Sequence, residues 1–197
     1  REIVSFDKIS DNIKYAVVAS EDARFYQHSG IDFEAIIRAI LIDLKLQSKN
    51  QGGSTITQQL IRTVYLTGQK TLARKVKEAV LSIELEQKYS KDQILDWYLN
   101  AIPFGENAYG VESASQTYFD KPASEVSLAQ AATLTALIPA PSRYSPYGPN
   151  KAELLKRKDN VLEKMQKLGY ITEKQLGGAK KEKINFAEST TPIKAPH

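Results

Sequence analysis

Cysteine is absent from the 197 residues, and histidine occurs only twice. The first absence excludes disulfides and thiolate metal sites without fixing a compartment, since exported domains can also lack cysteine. His28 and His197 have no metal-ligand spacing, so no residue is assigned to a metal. No run of eighteen apolar residues could cross a bilayer, and no leader-like segment is present. There is no Walker motif, because Gly52-Gly53-Ser54-Thr55 lacks the required spacing and lysine. No serine stands on a nucleophile elbow. Strand-like alternation is scarce and internal repeats are missing, so the chain is expected to be mainly helical. It begins at Arg1 and is expected to be an excised piece, from which any upstream anchor would have been removed.

What is present is ordinary globular material. Apolar residues make up 42% and charged residues 25%, enough for one generous domain or two small lobes. The net charge is +4, and ten of the 27 basic residues fall in residues 151–183. Such a balance admits nucleic acid, anionic lipid or a phosphorylated substrate.

The most informative stretch is residues 51–78, QGGSTITQQLIRTVYLTGQKTLARKVKE. Glycines free the backbone, and Thr55 with Gln58 has capping-box spacing, so Ser54 or Thr55 starts a helix. Thr55, Gln59 and Arg62 share one face, while Ile56, Leu60 and Val64 point to a core. A helix start with unpaired N–H groups and a cation two turns on suits a phosphate or pyrophosphate. A second helix over about 71–89 carries Arg74, Lys75 and Glu78, with Leu72, Val76, Val80 and Ile83 expected as its buried stripe.

Upstream, EDARFYQHSG gathers Glu21, Asp22, Arg24, Phe25, Tyr26 and His28. A carboxylate beside apolar rings is a candidate general base. Asp32 then caps a helix whose residues 33–46 are apolar around more of the circumference than one core requires. With Arg38, Lys45 and Lys49 nearby, that helix could dip into a membrane surface. Downstream, Ser90–Gln93 and Ser127–Gln130 have cap spacing, and SLAQAATLTALI reads as a central core helix. A proline-rich loop follows at residues 139–149. A basic amphipathic helix over 151–168 ends at Gly169, and a short helix covers 172–181. Residues 185–197 read as a linker.

The chemistry left by elimination is carboxylate catalysis on a phosphate-bearing substrate. Glu21 or Asp22 would be the base, and Thr55, Gln59, Arg62, Arg74 and Lys75 the anion binders. Glycosyl transfer from a sugar pyrophosphate needs that inventory: a base for a weakly acidic hydroxyl, and cations for the leaving pyrophosphate.

EDARFYQHSGID, GGSTITQQLIRT, RKVKE and YLNAIPFGENAYGVESASQTYF closely resemble the successive motifs of the peptidoglycan glycosyltransferases, glycosyltransferase family 51. These form the transglycosylase domain of class A penicillin-binding proteins and the monofunctional transglycosylases. The resemblance implies a lysozyme-like, mainly α fold with a large helical lobe and a small membrane-facing jaw lobe at about residues 31–50. The glycosyltransferase domain would cover residues 1–184, followed by a tail toward a transpeptidase domain. The implied substrate is lipid II and the product a β-1,4-linked glycan strand, made with inversion at the anomeric carbon. Carried over by motif, Glu21 is the base on the acceptor hydroxyl and Glu78 the second essential acid. Asp22, Phe25 and His28 shape that site. Ser54, Thr55, Gln59, Arg62, Arg74 and Lys75 bind the donor's phosphates and sugars, and Asn100 braces the cleft. No cofactor is implied as required, although a divalent cation (Mg or Mn) assists in some members, with Asp22 or the pyrophosphate as its contact. The implied partners are the growing lipid-linked glycan, the extracytoplasmic membrane surface and moenomycin-type inhibitors, with no nucleic acid.

Arg62 stands where the family commonly has lysine, Thr63 replaces a common asparagine, Gln130 a glutamate and Pro139 a glutamine. None removes a proposed catalytic group. A lytic, lysozyme-like hydrolase is the first alternative, but it would not need the glycine-hinged helix or the Arg74-Lys75 pair. A binding module for anionic lipid or nucleic acid would leave Glu21, His28 and Glu78 unused. RNA binding also calls for aromatics among the basic residues, and only Tyr170 is there.

Overall fold

The computed structural model describes residues 2–37, 53–66 and 71–189. Most of the apolar helix expected over 33–46, the junction at Gly68 and the end of the tail lie outside the described residues. In chain order the elements are a 3-10 turn (Phe6–Lys8), α1 (Asp11–Glu21), α2 (Ile56–Val64), α3 (Leu72–Lys88), α4 (Lys91–Ala101), β1 (Pro103–Gly105), β2 (Ala108–Tyr109), α5 (Val111–Phe119), α6 (Leu128–Leu137), α7 (Lys151–Lys167) and α8 (Glu173–Lys181). The fold is mainly helical, as the lysozyme-like class requires. The chain divides into two compact units, Arg1–Ser20 with Ile102–His197, and Glu21–Ala101.

The first unit is built around α6. Its small side chains let neighbours approach closely, and every residue from Ala129 to Leu137 is buried. Thr133 and Thr135 satisfy their buried hydroxyls by donating to the carbonyls of Ala129 and Ala131 at 2.7 and 3.0 Å. Ser127 and Gln130 form the expected capping box, and α7 and α8 pack against the helix. Gly169 ends α7 with a left-handed φ of 78°. The Pro103-Phe104-Gly105 segment is a short strand paired antiparallel with Ala108–Tyr109. Glu106 and Asn107 between them both have positive φ (46° and 60°), the conformation a tight hairpin turn needs. Tyr118 donates to the Phe104 carbonyl at 2.8 Å, and burial pushes its phenol up so that it stays a donor.

Two features of this unit differ from the sequence reading. Tyr170 stacks on Tyr15 with ring centroids 4.8 Å apart, so one face of its ring is taken by the chain itself. Within the linker-like tail, the Ala187 N–H donates to the Tyr118 carbonyl at 2.9 Å, and Phe186 stacks on Phe119. Aromatic packing and backbone bonds hold the chain through Ala187, two interactions that a polar composition does not advertise.

In the second unit, α2 packs on both α3 and α4. Helix α3 overturns the expected stripe: Leu72, Val76 and Val80 are 82%, 56% and 50% exposed. Its buried residues are instead Glu78 and Ser82. Their side of the helix receives the loop at Gly30, where a Cβ would come within 2.7 Å of the Ser82 and Ile83 backbone. Gly30 also has φ 86°, so both space and conformation exclude a side chain. The aliphatic stripe lies on the other side of the helix.

Gly30→Ala is therefore expected to cost about 2–4 kcal/mol from left-handed strain and overpacking. That should lower Tm by roughly 5–10 °C. By contrast, a Cβ at Gly177 in α8 meets nothing within 4 Å. Gly177→Ala should raise Tm by about 1–3 °C through helix propensity alone. Calorimetry of the two variants checks both signs.

Candidate active site

The site grows from the start of α2. Thr55 is its N-cap: the hydroxyl accepts from the Gln58 N–H at 3.2 Å, and the Gln58 side chain accepts from the Thr55 N–H at 3.0 Å. The same hydroxyl donates to the Gly30 carbonyl at 2.8 Å. Asp22 then places Oδ2 3.0 Å from the Ile56 N–H. This corrects the expectation of a helix start presenting unpaired amides to a phosphate. The positive end of a helix attracts an anion, and here a buried carboxylate of the chain itself is that anion. Asp22 and Thr55 are thus engaged in holding the helix. One carboxylate cannot cap a helix and also serve as an open base, so Asp22 does not fit that role.

Asp22 also meets His28 Nε2 at 2.9 Å, and the other ring nitrogen, Nδ1, faces Lys91 Nζ at 3.4 Å. A carboxylate only accepts, so Nε2–H donates to Asp22, while Nδ1 also lies 3.9 Å from Glu86 Oε2. Lys91 pairs with Glu86 at 2.7 Å and lies 4.5 Å from the centroid of the Phe25 ring. Glu86 further accepts from the Gly30 N–H and the Thr57 hydroxyl. One acid thereby joins the Gly30 loop, α2, α3 and α4. Glu86, Lys91 and Thr57 escaped the sequence reading. The available signal was spacing, since Glu78, Ser82 and Glu86 recur at i, i+4 and i+8 on one face of α3.

Glu21 stands at the end of α1, where Gln59 Nε2 donates to its Oε2 at 3.2 Å. Gln59 Oε1 in turn accepts from the Tyr98 hydroxyl at 2.9 Å. Burial first, and the Glu21 charge second, push the Tyr98 phenol well above its ordinary range. Arg62, one turn beyond Gln59, is close enough for its charge to oppose that shift. Among the described residues Arg62 pairs with no carboxylate.

A second cluster surrounds Glu78, whose side chain is 1% exposed. Arg74 Nε lies 3.3 Å from one of its oxygens and Lys75 Nζ 3.3 Å from the other. Lys75 also donates to Ser54 Oγ at 2.7 Å, tying this cluster to the residue before the α2 cap. A carboxylate this buried persists because it is paired. Two cations share it, so the cluster keeps a net positive charge, and Lys75 remains 46% exposed. The Asn100 Nδ2 donates to the Asp96 backbone and side chain at 3.0 Å each.

No group of three His, Asp or Glu residues is placed to hold a metal ion among the described residues. Asp22, the residue implied as a cation contact, already shares its oxygens between His28 and the Ile56 N–H. It does not fit that role.

The sequence matches the transglycosylase family over residues 1–166. It is 48% identical over 176 residues to penicillin-binding protein 1A of Aquifex aeolicus (strain VF5), covering 89% of this chain and 24% of that protein. It is 46% identical over 183 residues to penicillin-binding protein 1A/1B of Bacillus subtilis (strain 168), covering 92% and 20%. The chain therefore spans a quarter or less of the length of these relatives. Among solved structures, the crystal structure of penicillin-binding protein 1A from Haemophilus influenzae is similar over 52% of this chain and 16% of that one, at 35% identity and a TM-score of 0.47. With the carboxylates and cations of the expected motifs gathered on one compact unit, and the family matched over most of its length, the chain belongs to the transglycosylase family.

Proposed function

We propose that the chain is a peptidoglycan glycosyltransferase that polymerises lipid II into β-1,4-linked glycan strands, with release of undecaprenyl pyrophosphate. The observation that carries this reading is the Glu21 carboxylate, held by Gln59 on the same unit as a cation-rich cluster. Glu21 takes the proton from the acceptor's 4-hydroxyl as that oxygen attacks the donor's anomeric carbon. The bond to pyrophosphate breaks, and its electron pair leaves on the phosphate oxygen. Attack opposite an α-linked leaving group inverts the centre. Arg62, Arg74 and Lys75 offset the charge that develops as the bond breaks. Glu78 holds Arg74 and Lys75 in place; its burial suits that work better than proton exchange with substrate.

The exposed Leu72, Val76 and Val80, with Phe33 and Ile37, support action at a membrane surface. No helix among the described residues is long and apolar enough to cross a bilayer. The reading places the protein on the extracytoplasmic face, anchored by a segment outside this chain. Moenomycin-type inhibitors would compete for the phosphate-binding cations.

Incubation with labelled lipid II in detergent, followed by gel separation, should give a ladder of glycan strands. Glu21→Gln is expected to lower turnover by about 10²–10⁴-fold while keeping lipid II binding and Tm. Arg74→Ala and Lys75→Ala should each lower kcat more than they raise KM, because their charges matter most as pyrophosphate leaves. Glu78→Gln, which strips a buried carboxylate from two cations, should lower both turnover and Tm. Undiminished turnover in Glu21→Gln would remove the base. Release of short sugars from lipid-free glycan would favour the hydrolase instead.

A further inference from the structure

The hydroxyl of Tyr98 takes no part in the chemistry proposed above, yet it begins a chain of bonds that ends on the catalytic carboxylate. The residue is fully buried, so its O–H must find its partner inside the protein. A glutamine amide can be turned end for end, exchanging its donor and acceptor. In the observed orientation Nε2 faces Glu21 Oε2 at 3.2 Å and Oε1 faces the Tyr98 hydroxyl at 2.9 Å. The reversed amide would set Oε1 against a carboxylate oxygen, acceptor against acceptor. Without the Tyr98 hydroxyl, the observed orientation would leave Oε1 facing a group that donates nothing.

Resting on the transferase reading, we propose that Tyr98 is a positioning residue for the reaction. Its hydroxyl fixes the Gln59 amide, which in turn holds the Glu21 carboxylate in one orientation for proton transfer. The neighbouring charges agree with this order. Asp22 and Arg62 both act on Tyr98, but the phenol, pushed up by burial, remains a donor. Asp22 is engaged with His28 and the α2 amide and does not compete for Gln59. The chain crosses three helices, with Glu21 on α1, Gln59 on α2 and Tyr98 on α4. It is therefore absent from any local motif.

Tyr98→Phe keeps the ring and the core volume and deletes only the donor. In lipid II polymerisation by the full chain, Tyr98→Phe is expected to lower kcat about tenfold with KM unchanged, and Gln59→Leu to lower it further. Adding Tyr98→Phe to Gln59→Leu should cost nothing more, because the two residues act through one chain of bonds. Full additivity, or an unchanged kcat in Tyr98→Phe, would overturn the proposal, since a residue that only fills the core has no reason to act through Gln59. A second measurement needs no activity: the side-chain amide signals of Gln59 in 15N–1H spectra should move in both Tyr98→Phe and Glu21→Gln. If the wild type makes no glycan but those signals respond to both substitutions, the transferase reading fails and the coupling stands. Signals indifferent to Tyr98→Phe overturn the proposal whatever the activity.

Discussion

Two buried carboxylates that must stay satisfied organise the unit that carries the site. Asp22 and Glu86 have side chains only 3% exposed, and an ionised group removed from water is tolerated only with partners. Asp22 finds the first amide of α2 and a histidine N–H. Glu86 finds a lysine, a loop amide and a hydroxyl. Because those partners come from the Gly30 loop, α2 and α4, and Glu86 itself stands on α3, meeting the needs of two acids sets the positions of four segments. Glu21 is the residue immediately before Asp22, so its placement follows from the capping of its neighbour.

This arrangement explains why α3 departs from ordinary amphipathic logic. Its inward face is built from Glu78, Ser82 and Glu86, and its aliphatic stripe faces out. Ser82 is small because the Gly30 backbone lies against it. Glu78 is admitted because Arg74 and Lys75 neutralise it from the preceding turn. The order of base before acid, unfavourable for the helix dipole, makes sense once these charges serve a buried cluster.

The Tyr98-Gln59-Glu21 chain and the Lys91-His28-Asp22 chain share a design. Each ends on a carboxylate that can only accept, Glu21 in one case and Asp22 in the other, and each passes through a side chain with two possible hydrogen-bond polarities. The fixed acceptor at one end decides the polarity throughout. A glutamine or histidine without such a terminus would sample both arrangements.

Much of the site was legible in the residues themselves. The caps at Thr55, Ser90, Ser127 and Thr172, the Asp32 helix start, the central α6 and the Gly169 stop all follow from local geometry, and local geometry travels with sequence. The candidate carboxylates and cations were likewise readable from motif spacing. What the sequence could not determine was which polar groups consume one another. The α2 amides looked open to phosphate because the residue that bonds Ile56 lies 34 positions away. Leu72, Val76 and Val80 looked buried because hydrophobicity rewards burial of any stripe, and only the tertiary contacts show that two acids and a glycine had already taken the inward side of α3. Local propensity depends on neighbours along the chain, whereas the pairing of a buried charge depends on whichever segment brings the opposite group, and folding alone decides that.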